Sequence, residues 1–199
     1  MSSNPSEELN ELYRETHLKH LIPAMISGPI QGRFLSMISK LVRPKRILEI
    51  GTYTGYSTIC LAEGLSQEGL IHTIDRNEEL QGTQKKFWEK TRFNEKIIAH
   101  LGNAMDIISD LNEDWDLVFI DADKNNYINY YKALVPDLKS GSVIIVDNVL
   151  WYGKVAQKAD PDDLDTRGIQ KLNEFINSDE RVEQVLLPIR DGITIARVK

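Results

Sequence analysis

The chain has 199 residues, 41% hydrophobic and 27% charged, the size and balance of one soluble globular domain over 1–199 with a real core. Its net charge of −6 argues against a general nucleic-acid binder, and no apolar run approaches the ~20 residues that cross a bilayer. The start Met1-Ser2-Ser3-Asn4 lacks an export pattern and Cys60 is the only cysteine, so no nucleic-acid or membrane partner is expected and the location is cytoplasmic.

Taken in chain order, Glu7–Leu21 and Ile30–Leu41 read as two helices, separated by Pro23 and Gly28-Pro29. With the rest of 1–44 they form an N-terminal helical cover over a ligand side, or a subunit contact. From Lys45 short apolar runs alternate with amphipathic stretches. Strands are expected at Arg46–Ile50, Leu70–Asp75, Ile97–Leu101, Leu117–Asp121 and Val143–Asp147. Each is a compact β-branched or leucine run, as in strands covered on both faces. Helices are expected at Gly55–Gly64, Glu78–Arg92, Ala104–Leu111 and Asn125–Leu138. Strict alternation means a parallel sheet with helices on both sides. Gly153–Asp165, with Asp160, Asp162, Asp163 and Asp165, reads as a solvated loop. After a helix near Thr166–Asn177, Val182–Leu187 and Ile193–Val198 flank Pro188-Ile189-Arg190-Asp191-Gly192, and Asp-Gly between apolar runs signals a hairpin. The fold class is α/β: a doubly wound, seven-stranded, mostly parallel sheet closed by a C-terminal antiparallel hairpin.

The first strand runs into Glu49-Ile50-Gly51-Thr52-Tyr53-Thr54-Gly55-Tyr56-Ser57. Ligands of open α/β sheets bind beyond the carboxyl ends of strands, where this turn sits. Tyr53 holds the place at which a dinucleotide fingerprint has the glycine that admits a pyrophosphate. The turn therefore suits an adenosyl ligand without phosphates, such as S-adenosylmethionine. The second strand ends at Asp75, 24 residues beyond Gly51, where a carboxylate can accept from ribose hydroxyls. Alone, an Asp at this place is more often a helix cap.

Asp121 and Asp147 each close an apolar run. On adjacent strands ~4.8 Å apart their carboxylates would converge, and they would repel unless a positive charge stood between them. The Asn148 carbonyl adds a neutral oxygen. An all-oxygen set suits a hard divalent cation, Mg²⁺ before Ca²⁺ or Mn²⁺. His17, His20, His72 and His100 are scattered outside it, which argues against zinc. Lys124 stands at a helix start, where the macrodipole mildly disfavours a cation. Capping by Asp121 and Asp147, and a solvated Lys124, are the alternatives.

The turn at Glu49–Ser57, Asp121-Ala122-Asp123-Lys124 and Asp147-Asn148-Val149-Leu150-Trp151 together resemble the caffeoyl-CoA and catechol O-methyltransferases, class I and metal-dependent. The similarity runs from Leu12 to the terminal hairpin. It implies the Rossmann-like methyltransferase fold, a homodimer and transfer of methyl from S-adenosylmethionine to a small phenolic, catechol-like acceptor. Position by position, it implies cofactor contacts at Ser27, Glu49, Gly51, Thr52, Tyr53, Ser57, Asp75, Ala104 and Asp121. It further implies metal ligands at Asp121, Asp147 and Asn148, a catalytic base at Lys124, and acceptor contacts at Asp123, Trp151 and Tyr152. Trp151 reads equally as core. The N-terminus is shorter than in the plant enzymes, and Tyr152 replaces their polar substrate contact; both departures point away from an acyl-CoA acceptor. Alternatives are a non-aromatic hydroxyl as acceptor and a non-catalytic S-adenosylmethionine-binding module.

Overall fold

The structure is a computed structural model that describes residues 2–199. Seven strands, β1 (Arg46–Ile50), β2 (Leu70–Asp75), β3 (Ile97–Leu101), β4 (Leu117–Ile120), β5 (Val143–Asp147), β6 (Val182–Leu187) and β7 (Ile193–Val198), build one sheet in the order β3-β2-β1-β4-β5-β7-β6. β1 to β5 pair in parallel. β7 inserts antiparallel between β5 and β6, so six strands share one direction. This is the expected fold class. The strand bounds agree with the sequence reading except at β4, which stops one residue early, at Ile120.

Period-two alternation explains why these runs are strands. Every residue of β4 and β5 is buried. Ile47, Leu117, Phe119, Val143 and Ile145 face one core, while Leu48, Ile50, Val118, Ile120, Ile144 and Val146 face the other. Helices α1 (Glu7–Lys19), α2 (Gly28–Val42) and α3 (Tyr56–Ala62) cover the first face. Leu9, Leu12 and Leu35 bury there against Tyr56, Ile59 and Cys60, so the N-terminal cover is real packing. Helices α6 (Tyr127–Leu134) and α7 (Leu164–Ser178) cover the second face through Tyr127, Tyr131, Ile169 and Leu172.

Helix bounds differ more. Gly28-Pro29, expected to separate helices, instead opens α2, because Pro in a first turn sacrifices no hydrogen bond. The long helix expected at Glu78–Arg92 is a 3₁₀ turn followed by α4 (Gln81–Trp88), with the Asn77 side chain accepting from the Glu79 N–H. Likewise α6 gives way to a 3₁₀ turn at Val135–Asp137, where Pro136 lacks the N–H an α-helix requires. The acidic loop is partly structure: Asp163 caps α7 by accepting from the Thr166 N–H at 3.0 Å.

Strand order reverses between β1 and β4, and the crevice beyond their carboxyl ends is the site. Hydrogen bonding continues past the strand ends: the Gly51 N–H reaches the Ile74 carbonyl at 2.9 Å, and the Asp121 N–H reaches Ile50 at 2.8 Å. Gly51 has φ +100°, and a Cβ on it would lie 1.9 Å from the Asp121 carbonyl oxygen. Gly51→Ala should therefore cost about 2–4 kcal/mol, from strained backbone plus overpacking. Urea unfolding will measure it; a cost below ~1 kcal/mol would mean that the seam relaxes.

Candidate active site

A cleft of about 840 Å³ opens over the ends of β1, β2, β4 and β5. Ser27, Gly51, Thr52, Tyr53, Ser57, Asp75 and Ala104, seven of the residues expected to hold a cofactor, line it. Asp75 accepts from the Tyr53 N–H at 2.7 Å and from the Asn77 N–H at 2.9 Å. It is thus a turn cap and a cleft residue at once, since each oxygen keeps a second lone pair. Tyr53 has φ 48° and is fixed by these contacts and by Gln84, whose amide donates to its carbonyl at 2.7 Å.

Glu49 lies beneath the cleft and does not line it. Fully buried, it accepts from Thr58 Oγ1 at 2.5 Å and Thr73 Oγ1 at 2.6 Å, both at Oε2. Oε1 has no partner among the described residues. Burial raises its pKa to about 7, against the pull of the Ser57, Thr58 and Thr73 hydroxyls.

Asp121, Lys124, Asp147 and Asn148 line the same cleft. Ile120 pairs with Val146, so the next step along both strands sets Asp121 beside Asp147. Lys124 Nζ donates to Asp121 Oδ1 at 2.8 Å and to Tyr127 Oη at 2.5 Å. Lys124 is therefore not a free surface charge; only 11% of its side chain is exposed. Burial, and then the nearby Asp121 charge, raise the pKa of Asp147 to about 7. Gln31 opposes this by donating from Nε2 to Asp147 Oδ2 at 2.6 Å, and the Asn148 N–H donates to Oδ1 at 2.8 Å.

The three residues expected to contact an acceptor behave differently from one another. Asp123 lines the cleft, with its carboxylate accepting from Asn126 Nδ2 and, at 2.5 Å, from Tyr130 Oη. Trp151 is both half-buried against the core and part of the cleft wall. Tyr152 is 83% exposed at the rim, its ring centroid 5.6 Å from that of Trp151. The histidines are less scattered than their spacing suggests: His72 Nδ1 and His100 Nε2 lie 3.0 Å apart on β2 and β3, away from the cleft. Among the described residues no group of three or more His, Cys, Asp or Glu is arranged to hold a metal. The Asn148 carbonyl is the neutral oxygen donor expected beside the two acids, and Asn148 lines the cleft with them.

Sequence reasoning missed Gln31, Tyr127 and Arg190. Tyr127, fully buried three residues past Lys124, carried a helical-spacing signal. Gln31 and Arg190 act over 116 and 164 residues and carried none.

The model of the O-methyltransferase family matches residues 1–199. The chain belongs to that family. It is 39% identical to a caffeoyl-CoA O-methyltransferase of Petroselinum crispum, over 96% of this chain and 83% of that protein. A flavonoid 3',5'-methyltransferase of Vitis vinifera is 35% identical, over 96% and 86%. Among solved structures, the O-methyltransferase from Bacillus cereus in complex with SAH superposes with a TM-score of 0.90 at 32% identity, over 98% of this chain and 92% of that one. The expectation of an S-adenosylmethionine-dependent O-methyltransferase is met at the level of family, which removes the non-catalytic alternative.

The buried acids fix a pH dependence. An acid whose folded pKa is raised binds its proton more tightly when folded, so its contribution is full below its ordinary value and lost as pH rises through the folded value. For Glu49 that window runs from 4.5 to about 7, and Asp147 has the same sign. Ligand-free protein should lose on the order of 1–3 kcal/mol of stability between pH 5 and pH 8, and Glu49→Gln should remove roughly half of the decline. Urea unfolding across that range checks this; a flat wild-type profile contradicts it.

Proposed function

We propose that this O-methyltransferase moves a methyl group from S-adenosylmethionine to a hydroxyl of a small catechol-like or phenolic acceptor, with a divalent cation in the cleft. The observation that carries the reading is the acid pair Asp121–Asp147, set beside Lys124 at the mouth of the Gly51 turn. The caffeoyl-CoA and flavonoid methyltransferases among its relatives support a phenolic acceptor. Residues 1–199 act as one methyltransferase unit with 1–44 as its cover, in the cytoplasm, where the lone, buried Cys60 thiol, raised to about 12 by burial, stays reduced. Among the described residues no helix is long and apolar enough to cross a membrane. Exposed Leu18, Ile30, Met37 and Leu41 give α1 and α2 an apolar outer face that supports a homodimer.

The donor set fits a hard cation. Asp121, Asp147 and Asn148 offer only oxygens, and burial beside Asp121 disfavours the Asp147 charge unless a cation joins it. Magnesium is the first choice, with Ca²⁺ and Mn²⁺ next. When bound, such a cation lowers the pKa of a phenol, ordinarily ~10, toward neutrality.

The chain's own residues do the rest. Asp75 holds the Tyr53 N–H, which fixes the turn, and its remaining lone pairs face the cleft for the ribose hydroxyls. Thr52 and Ser57 line the part of the cleft assigned to the methionine end, with Glu49 bracing it from below through Thr58 and Thr73. Ala104 opens α5 (Ala104–Asp110) against the adenine position. Lys124 Nζ takes the acceptor's hydroxyl proton as a neutral amine, or as an ammonium donates to the developing oxyanion. Tyr127 Oη and Asp121 keep that nitrogen in place, and burial and the two acids hold the Tyr127 phenol protonated. Trp151 walls the acceptor ring, with Tyr152 at the rim. Holding both reactants in line supplies much of the rate gain.

The test is a methyl-transfer screen of catechols against single-hydroxyl analogues, with and without chelator. Catechol turnover should vanish on chelation and return with Mg²⁺; full turnover after exhaustive metal removal excludes the cation. Lys124→Ala should lower turnover by about 10²–10⁴ with cofactor affinity little changed, and the defect should shrink toward the acceptor's own pKa. Wild-type turnover in that variant at neutral pH would remove Lys124 from the chemistry.

A further inference from the structure

The segment Ile22–Ser27 runs across the mouth of the cleft, with Ile22, Ala24, Met25, Ile26 and Ser27 lining it. Little apolar burial holds its first half: Ile22 is 60% and Met25 54% exposed. Ile26 and Ser27 are buried, Ile26 in the core beneath α1 and α3, and the segment's remaining ties to the site are polar and few. At one end Tyr53 Oη donates to the Ile22 carbonyl at 3.1 Å. At the other end a single side chain gathers the polar ties. Arg190 Nη1 donates to the Ile26 carbonyl at 2.7 Å and to the Ser27 carbonyl, and Nη2 donates to the Ala24 carbonyl at 3.3 Å.

Arg190 occupies an unusual position for a long side chain. It sits in the β6–β7 turn with φ 51°, a left-handed conformation in which glycine would be at ease. Its neighbours make the turn a fixed platform. Ile189 packs against the α1–α3 core, and the Gly192 N–H closes onto the Ile189 carbonyl at 3.0 Å. On the opposite side the same turn grips the acceptor loop: the Tyr152 N–H donates to Asp191 Oδ1 at 2.6 Å and the Leu150 N–H to the Asp191 carbonyl at 2.9 Å. A rigid guanidinium fork with five donors is suited to collecting several carbonyls at once, which a lysine is not.

We propose that Arg190 is a positioning residue that clasps the Ile22–Ser27 strap over the methyl donor, so that cofactor retention depends on it. The proposal rests on reading this cleft as the S-adenosylmethionine site. Ser27 is thereby held as part of the cofactor's cover by a residue from the opposite end of the chain. The strained backbone at Arg190 is the cost of placing a guanidinium where the strap can be reached.

The experiment compares wild type with Arg190→Gly, Arg190→Lys and Asp75→Ala, using S-adenosylhomocysteine as the probe. Calorimetry gives affinity, stopped-flow displacement gives the dissociation rate, and hydrogen exchange reports the Met25 and Ile26 amides. Glycine fits the left-handed position, so Arg190→Gly should keep or raise the melting temperature. It should nevertheless release the probe about tenfold faster, as expected for lost charge-assisted hydrogen bonds, and exchange the strap amides faster. Arg190→Lys should fall between it and wild type. Wild-type release from a stably folded Arg190→Gly overturns the clasp, and so does a weakened affinity that merely follows a lower melting temperature. If wild type takes up no probe, or Asp75→Ala binds it as wild type does, the cleft reading fails and the clasp fails with it.

Discussion

At the seam between β1 and β4 two main chains come so close that the Asp121 carbonyl fills the space a side chain on residue 51 would need. Parallel register produces the approach: Ile50 pairs with Ile120, and one step further the Asp121 N–H bonds the Ile50 carbonyl. Strand order reverses at this seam, so the chain leaves β1 and β4 in different directions and a crevice remains. β5 is in step with β4, so Asp147 arrives beside Asp121 without any loop having to place it. Parity does the rest. Glu49, Asp121 and Asp147 share the alternation of Ile47, Phe119 and Ile145, the face covered by α2 and α3. That is why an α2 side chain, Gln31, can reach Asp147 and an α3 side chain, Thr58, can reach Glu49.

The same row concentrates negative charge where water is scarce. Glu49 is met by neutral hydroxyls, Asp147 by an amide and a backbone N–H, and Asp121 by the single cation Lys124. Neutral dipoles reduce the cost of burying a charge but do not cancel repulsion between two acids. Elsewhere the fold compensates a half-buried acid fully. Glu63 at the end of α3 takes Arg33 at 2.6 Å, Lys40 at 2.7 Å and Ser36 at 2.7 Å, and these hydrogen bonds outweigh burial to hold its pKa near 2. Incomplete compensation at the strand ends alone is the signature of groups kept for a ligand, and it supports the cation reading.

Strands were the most legible part of the chain, because burial on both faces imposes short β-branched runs that end abruptly in Gly51, Asp75, Asp121 and Asn148. Gly51, Asp75, Asp121, Asp147 and Asn148 were legible for the same reason, since they end those runs or follow them directly, whereas the other expected site residues came from the family resemblance. Helix ends were less so. Gly28-Pro29 begins a helix and Pro136 ends one, and a proline's sequence does not say which. Glu49 entered the cofactor set through the family resemblance; it stands two residues before Gly51, within β1, and so lies beneath the cleft lining. Contacts across the chain left no local trace. Gln31 reads as one more polar helix residue, Arg190 as a turn charge, and His72 and His100 as unrelated until β2 and β3 pair.

Backbone strain is concentrated in the loops that line the cleft. Among the described residues six non-glycine residues have positive φ, and five of them, Tyr53, Asn148, Trp151, Tyr152 and Arg190, line the cleft. Such conformations cost of order 1 kcal/mol or more each and persist only where surrounding bonds over-determine them. Here those bonds come from Asp75 and Gln84 at Tyr53, and from Asp191 at Leu150 and Tyr152. None of the strained residues lies within a strand. The regular sheet fixes Asp121 and Asp147 by register, so it can support one reaction at one place. The loop at 148–152, expected to meet the acceptor, has its shape imposed from outside by the β6–β7 turn. A change at Asp191 therefore reshapes the loop at 148–152 while the register that sets Asp121 beside Asp147 is untouched.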